Sequence, residues 1–406
     1  MRMSIRRSWQ PHWTIVGICL AVVSLTTTAA VLSEPGGHGS SATVVGAKPS
    51  GSTSASASAS SSGTAAAGGT TAHTLDFGIA YGNTLFEASK SAVDAGLNDA
   101  VSVGAKWIRV DLPWSSIQPD DAYSYNWSGF DTIATEAKAR GLHIDAVLDD
   151  VPRWARSSSC VGYFSCPPGD PDTFAAFAAA AAHRYSAQGV RTWEVWNEPN
   201  LVSWWPQANP PAYEALLAVT SKALRKAEPN AYVILGGLAA VPTDAAKKYM
   251  SAYDFLTKVA ALGGTKYVDA VGYHPYSEPT MPSAAPTFQD ISDSSHNLVS
   301  VLQRYGTPNV SIWLTETGAP VQIAAQDPTA AQTATKQMES LQTTYATNLV
   351  TTVSANTHVG ADFWYSDQDD PKNGLYFGLR RANGSLRSAF YSLKDAIALC
   401  SCQTVG

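Results

Sequence analysis

Three observations predict an α/β fold, a (β/α)8 TIM barrel. Short apolar runs alternate eight times with longer helical patterns, and polar and aromatic residues gather where those runs end. No glycine-rich phosphate loop follows the first run, which removes the doubly wound, dinucleotide-binding competitor.

The apolar runs cover 75–81, 107–112, 143–148, 192–196, 232–236, 270–273, 311–315 and 361–365. Amphipathic or alanine-rich stretches at 174–185, 212–227, 245–262, 298–305 and 330–354 separate them, and 390–399 follows the last. Barrel enzymes build their sites at the C-terminal ends of strands. The second run ends in Arg109, Asp111 and Trp114, and the third in Asp149, Asp150 and Trp154. The fourth ends in Asn197 and Glu198, the sixth in His274 and Tyr276, and the seventh in Glu316. The eighth ends in Trp364, Asp367, Asp369 and Asp370.

At 406 residues the chain has ample material for one large core. Its 27 Lys and Arg against 33 Asp and Glu form no basic face or arm, so no nucleic-acid partner is expected. A neutral polar ligand suits the charge balance, and 12 tryptophans supply rings able to stack on sugar faces.

Arg2, Arg6 and Arg7 precede a charge-free run at 13–32, which is export-signal chemistry. Residues 1–32 are therefore expected to be a signal peptide or an N-terminal membrane anchor, and any membrane attachment to run only through 13–32. Residues 33–73, nearly all Gly, Ser, Ala and Thr, cannot bury enough apolar surface to order themselves and read as a disordered linker. The barrel domain is expected over 74–406, as a monomer, secreted or anchored at the outer face of the membrane or cell envelope. Cys160 and Cys166 flank a short loop and are expected to form a disulfide there. For Cys400 and Cys402, one residue apart, a paired, free or cross-linked state stays open. Zinc is disfavoured, because the spacings are wrong and no histidine accompanies them.

Two glutamates carry the chemistry. Glu198 follows strand-forming residues and precedes Pro199, which stops the strand and leaves the carboxyl at the rim. Glu316 ends the seventh run just before Gly318. Glycosidic bonds are cleaved between two carboxyl groups, one protonating the leaving oxygen and the other attacking or activating water opposite. No His-Glu-x-x-His, Gly-x-Ser-x-Gly or phosphate loop is present, and Asp367-Gln368-Asp369-Asp370 lacks EF-hand spacing. No metal and no cofactor are expected.

Trp196-Asn197-Glu198-Pro199 resembles the acid/base motif of glycoside hydrolase clan A, the retaining barrel glycosidases, and the stretch 312–318, Ile-Trp-Leu-Thr-Glu-Thr-Gly, resembles their nucleophile strand. The motifs fall on the fourth and seventh strands, as that clan requires. Within it, residues 193–200 with Trp204-Trp205-Pro206 and Tyr213 are most similar to family 39, with the cellulase-like family 5 next.

The resemblance implies that Glu198 is the general acid/base and Glu316 the nucleophile of a retaining O-glycoside hydrolase acting on a poly- or oligosaccharide. It implies that Asn197 bonds the sugar 2-hydroxyl, Arg109 pairs with Glu316, Tyr276 contacts the nucleophile and His274 lines the pocket. Trp364 matches the platform beneath the reactive sugar. Trp204, Trp205 and Trp154 are further candidates for sugar contacts, and Asp150 for a hydroxyl contact. Glu194, in mid-strand, reads as a buried, paired residue. The rival function is a barrel that binds polysaccharide without cutting it, which has no need of either catalytic glutamate.

Overall fold

The structure, a computed structural model, describes residues 75–160, 165–321 and 328–400, with the side chains of 328–331 excepted. The stretches expected to be an export segment and a linker, the tip of the cysteine loop and Cys402 lie outside the described residues. Eight parallel strands close into a barrel in chain order: β1 Asp76–Gly82, β2 Trp107–Pro113, β3 His143–Asp149, β4 Thr192–Val195, β5 Tyr232–Ala239, β6 Ala270–His274, β7 Ser311–Thr317 and β8 Val359–Tyr365. Every predicted apolar run coincides with one of them.

Successive side chains of a strand point to opposite faces, so each strand sends one set inward and the other to the helices. Ala80, Ile234, Ala270, Trp313, Ala361 and Phe363 pack together inside the barrel. Trp313 meets Trp107 edge-on at 5.2 Å and Tyr232 at 5.2 Å, filling the interior away from the catalytic end. Ile108, Val110, Leu112, Val233 and Leu235 face out into the larger cluster shared with the helices.

Helices cross between the strands. Pro171–Tyr185 and Pro210–Ala227 each start with proline at the first position, where no backbone N–H is needed, and are capped by Asp170 and Asn209. Lys90–Val103 and Ser128–Ala139 supply the crossovers after β1 and β2. The helix expected from residue 245 begins only at Ala252. Asp244 Oδ1 accepts the N–H groups of Ala246 and Lys247 at 3.0 and 3.1 Å, closing a turn, and Ser251 then caps the helix. Cys160 and Cys166 are joined by a disulfide, with Cα atoms 5.9 Å apart. Cys400 is also disulfide-bonded. Among the described residues no helix is long and apolar enough to cross a membrane.

Two irregularities position the site. Leu314 pairs with Asp362 while Thr317 pairs with Trp364, so β7 carries one residue more than β8 between those points. This bulge breaks the alternation and lets Thr315 and Glu316 both face the barrel axis. At the end of β4, Trp196 and Glu198 have φ of 73° and 41°, a left-handed backbone that side chains with a Cβ rarely adopt. The chain turns there, sending Trp196 out between Phe174 and Trp205. Asn197 and Glu198 stay at the mouth.

Candidate active site

Arg109 organises the catalytic end. It is 1% exposed and its planar guanidinium divides its donors among three acceptors. Nε donates to Glu194 Oε2 at 2.7 Å, Nη1 to Glu316 Oε1 at 2.7 Å, and Nη2 to Asn197 Oδ1 at 2.8 Å. Glu194, fully buried, also accepts from Gly237 N at 2.5 Å and Thr315 Oγ1 at 3.3 Å. The mid-strand glutamate is thus a paired residue that fixes Arg109.

His274 joins the two rim carboxylates. Its Nδ1 lies 3.1 Å from Glu198 Oε1 and 3.8 Å from Glu316 Oε2, while Nε2 meets Thr315 Oγ1 at 3.0 Å. Gly237 makes room for this ring, since a Cβ there would stand 2.0 Å from Nε2. Tyr276 donates its hydroxyl to Glu316 Oε2 at 2.8 Å. Burial pushes the Glu316 carboxyl up, but the charges of His274 and Arg109 and the hydrogen bonds from Tyr276 and Arg109 outweigh it and hold the group below the usual carboxylate range. Glu198 and Glu316 keep 16% and 14% of their side chains exposed, so both reach the open mouth.

Arg109, Asn197, Glu198, His274, Tyr276 and Glu316 therefore come together, as the sequence leads one to expect. Two tryptophans do not join them, Trp364 and Trp205. Trp364 is 1% exposed, faces the helix layer against Tyr345, and donates Nε1 to Phe377 O at 3.3 Å. It cannot be a sugar platform: Phe363 and Tyr365 occupy the inward positions of β8. Tyr365, packed on Phe377 at 5.5 Å, is the half-buried aromatic at that strand end. Trp205 is 5% exposed and wedged between Trp196 and Tyr213, so it too is core. Trp154 is half-buried, edge-on to Trp114 at 5.5 Å, with Nε1 spent on Gln118 O at 2.8 Å. Trp204 sits half-buried on the loop after β4, its carbonyl accepting from Trp196 Nε1 at 3.2 Å.

Asp150 and Asp111 remain at the rim. Burial pushes Asp150 to about 6 against the pull of Arg156. Burial also pushes Asp111 to about 7, Arg109 opposing and Asp150, Glu316 and Glu194 adding to the rise. Asp369 is taken by Arg387 at 2.7 Å, and Asp370 accepts from the N–H groups of Lys372 and Asn373, so this acidic stretch holds its own loop together. The contributions of Thr315 and Tyr365 were not singled out from the sequence. A bulge and an all-aromatic strand end conceal them.

Two carboxylates, one just past β4 and one on β7, share one imidazole, and a buried arginine holds the second, a pair suited to glycosidic cleavage in a clan A barrel. Residues 70–366 match the family Cellulase (glycosyl hydrolase family 5), and the chain belongs to that family. A β-xylosidase of Geobacillus stearothermophilus is 41% identical over 119 residues, which are 27% of this chain and 24% of that protein. The match thus spans about a quarter of the relative's length. A family 39 glycoside hydrolase from Bacteroides cellulosilyticus WH2 shares the fold at a TM-score of 0.59 and 21% identity, covering 80% of this chain and 64% of that one. A monomeric β-xylosidase from Caulobacter crescentus CB15 does so at 0.58 and 19%, covering 79% and 67%.

Proposed function

We propose that this protein is a retaining O-glycoside hydrolase that works outside the cytosol on a cell-envelope or extracellular poly- or oligosaccharide. The observation that carries the reading is the single nitrogen of His274 in reach of both Glu198 and Glu316, at 3.1 and 3.8 Å. Their nearest oxygens can stand no farther apart than the sum of those distances, which reaches only the lower edge of the roughly 6.5–9.5 Å that inverting pairs need. Direct attack is favoured.

In the first step Glu316, ionised, attacks the anomeric carbon while the glycosidic C–O bond breaks and Glu198 gives its proton to the leaving oxygen. In the second, Glu198 takes a proton from water, which attacks the same carbon and releases Glu316. Arg109 and Tyr276 hold the carboxylate in one rotamer throughout. Asn197, fixed by Arg109 through its oxygen, offers its amide to a sugar hydroxyl. The export-signal chemistry of the sequence at 13–32 supports action outside the cytosol, and the name of the β-xylosidase relative makes xylosides the first substrates to try.

The test is a panel of 2-fluoro glycosides, xyloside and glucoside included, read by intact mass. One sugar adduct on the wild type, absent from Glu316→Gln, is expected, and Glu316→Gly with azide should regain turnover as a glycosyl azide. Binding of glycans with no adduct and no turnover on any substrate would establish a non-catalytic polysaccharide-binding barrel instead.

A further inference from the structure

Residues 196–200 leave the regular ladder between β4 and β5. Register there ends with Val195 opposite Leu235, while Trp196 N still donates to Leu148 O of β3 at 2.9 Å. Gly236 admits the turn, since a Cβ at that position would stand 2.2 Å from Trp196 O and 2.6 Å from Val195 O. Beyond it, Glu198 N donates to Gly237 O at 2.9 Å, and Glu198 O accepts from Leu201 N at 2.9 Å. Trp196 and Glu198 both hold left-handed backbone, which persists only where the surroundings over-determine it.

Asn200 supplies that determination. It is fully buried, two residues past Glu198. Its Oδ1 accepts from Ala239 N at 3.0 Å and its Nδ2 donates to Ala239 O at 2.9 Å. The amide thus exchanges two bonds with one residue, as a residue of an antiparallel strand would. Nδ2 also donates to Met250 O at 2.8 Å, and Met250 N returns a bond to Asn200 O at 3.1 Å. Side chain and main chain together tie the turn to β5 and to the loop that follows it.

Ala239 closes β5, and across its other edge it lies in register with His274. Ala240 N donates to His274 O at 3.3 Å, and Gly237 leaves space for the imidazole ring. The end of β5 therefore holds the Glu198 turn on one side and His274 on the other. The 3.1 Å approach of His274 Nδ1 to Glu198 Oε1 depends on both attachments. Glu316 is held elsewhere, by Arg109 and Tyr276.

We propose that Asn200 is a positioning residue for Glu198, locking the turn that aims the acid/base at the leaving oxygen. The proposal rests on the glycosidase reading above and adds that separate parts of the frame hold the two carboxylates. Loss of Asn200 then disturbs proton transfer and spares nucleophilic attack. A poor leaving group needs the proton, whereas a group that departs as a stable anion hardly does, so leaving-group dependence separates these effects.

The full protein, wild type against Asn200→Ala and Asn200→Asp, is assayed for kcat/KM on phenyl and 2,4-dinitrophenyl β-xylosides, with the matching β-glucosides alongside. Asn200→Ala loses every side-chain bond, while Asn200→Asp keeps the acceptor for Ala239 N. The ratio of the two constants does not depend on how much of a variant is folded. Tyr185→Phe, which loses a 2.9 Å bond to Asp131 Oδ1 in the helix layer, reports ordinary loss of stability.

A displacement of about 1 Å costs about 10²-fold where geometry is critical, so Asn200→Ala should lower kcat/KM on the phenyl glycoside roughly thirtyfold or more. On the dinitrophenyl glycoside the fall should be at most about threefold, with Asn200→Asp between wild type and Asn200→Ala on both. An equal fall on the two substrates overturns the positioning role, and so does the same change of ratio in Tyr185→Phe. No turnover by the wild type on any glycoside removes the glycosidase reading and this one together. An active wild type whose ratio the Asn200 variants leave unmoved removes only the role of Asn200, so the two failures are told apart.

Discussion

Replacing Arg109 with methionine keeps a long apolar stem and deletes the charge that three groups share. In the wild type the guanidinium stands 2.7 Å from both Glu194 and Glu316, and Arg109 and Glu194 are 1% and 0% exposed. Removing one partner of a buried pair costs about 3–5 kcal/mol, because the remaining charge stays out of water. Glu316 can draw on the open mouth for solvent and Glu194 cannot, so most of the loss falls on Glu194. Urea unfolding at pH 7 should therefore show a lower midpoint with an unchanged slope.

A second readout follows from Glu316. Its folded pKa is lowered, so it contributes stability above its unfolded pKa and loses that contribution as pH falls through the folded value. Without Arg109 the burial that opposes ionisation gains weight, and the acid limb of kcat/KM moves to higher pH. A stability loss below about 1 kcal/mol together with an unmoved acid limb would falsify the assignment of Arg109 as the shared counter-ion.

Trp364→Ala should destabilise the protein by about 3–5 kcal/mol, read by urea unfolding, whereas Tyr365→Ala should raise KM on glycosides with a smaller loss of stability. If Trp364→Ala changes KM and leaves stability alone, the orientation of β8 is wrong. Gly237→Ala places a methyl against the His274 ring and should cut kcat at least tenfold while the protein remains folded by circular dichroism; full activity would mean that the ring position is unimportant. Asp145 is completely buried, and that burial, with Glu194 beside it, raises its pKa well above the usual value. A raised carboxyl makes the folded state lose stability as pH rises above the unfolded pKa near 4. Asp145→Asn should accordingly gain stability relative to wild type between pH 4 and pH 7, and a constant difference across that range would contradict the raised pKa.

The strands were legible because each apolar run is short and closed by a turn residue, and parallel barrel strands are buried on both faces. Glu198 and Glu316 stood out through Pro199 and Gly318, residues that announce a strand's end. Side-chain direction was less accessible. Phe363, Trp364 and Tyr365 are all aromatic, so no alternation of polarity marks which one faces inward. The bulge in β7 leaves no residue signature, yet it turns Glu316 to the axis beside Thr315. Trp204 and Trp205 are adjacent, and only the outward turn of Trp196 decides that Trp205 is the one buried.

One buried guanidinium is shared between two carboxylates, Glu194 and Glu316, and the charge of His274 falls on the second as well, so Glu316 meets the sugar as an ionised carboxylate. A neutral sugar in its ground state gains little from that charge. An oxocarbenium-like transition state, with positive charge near the anomeric carbon, gains much more, and interactions realised only there are the ones that accelerate a reaction. Sugar mimics with a cationic ring nitrogen should consequently bind more tightly than neutral lactams of the same shape, and their advantage should fade as acid protonates Glu316.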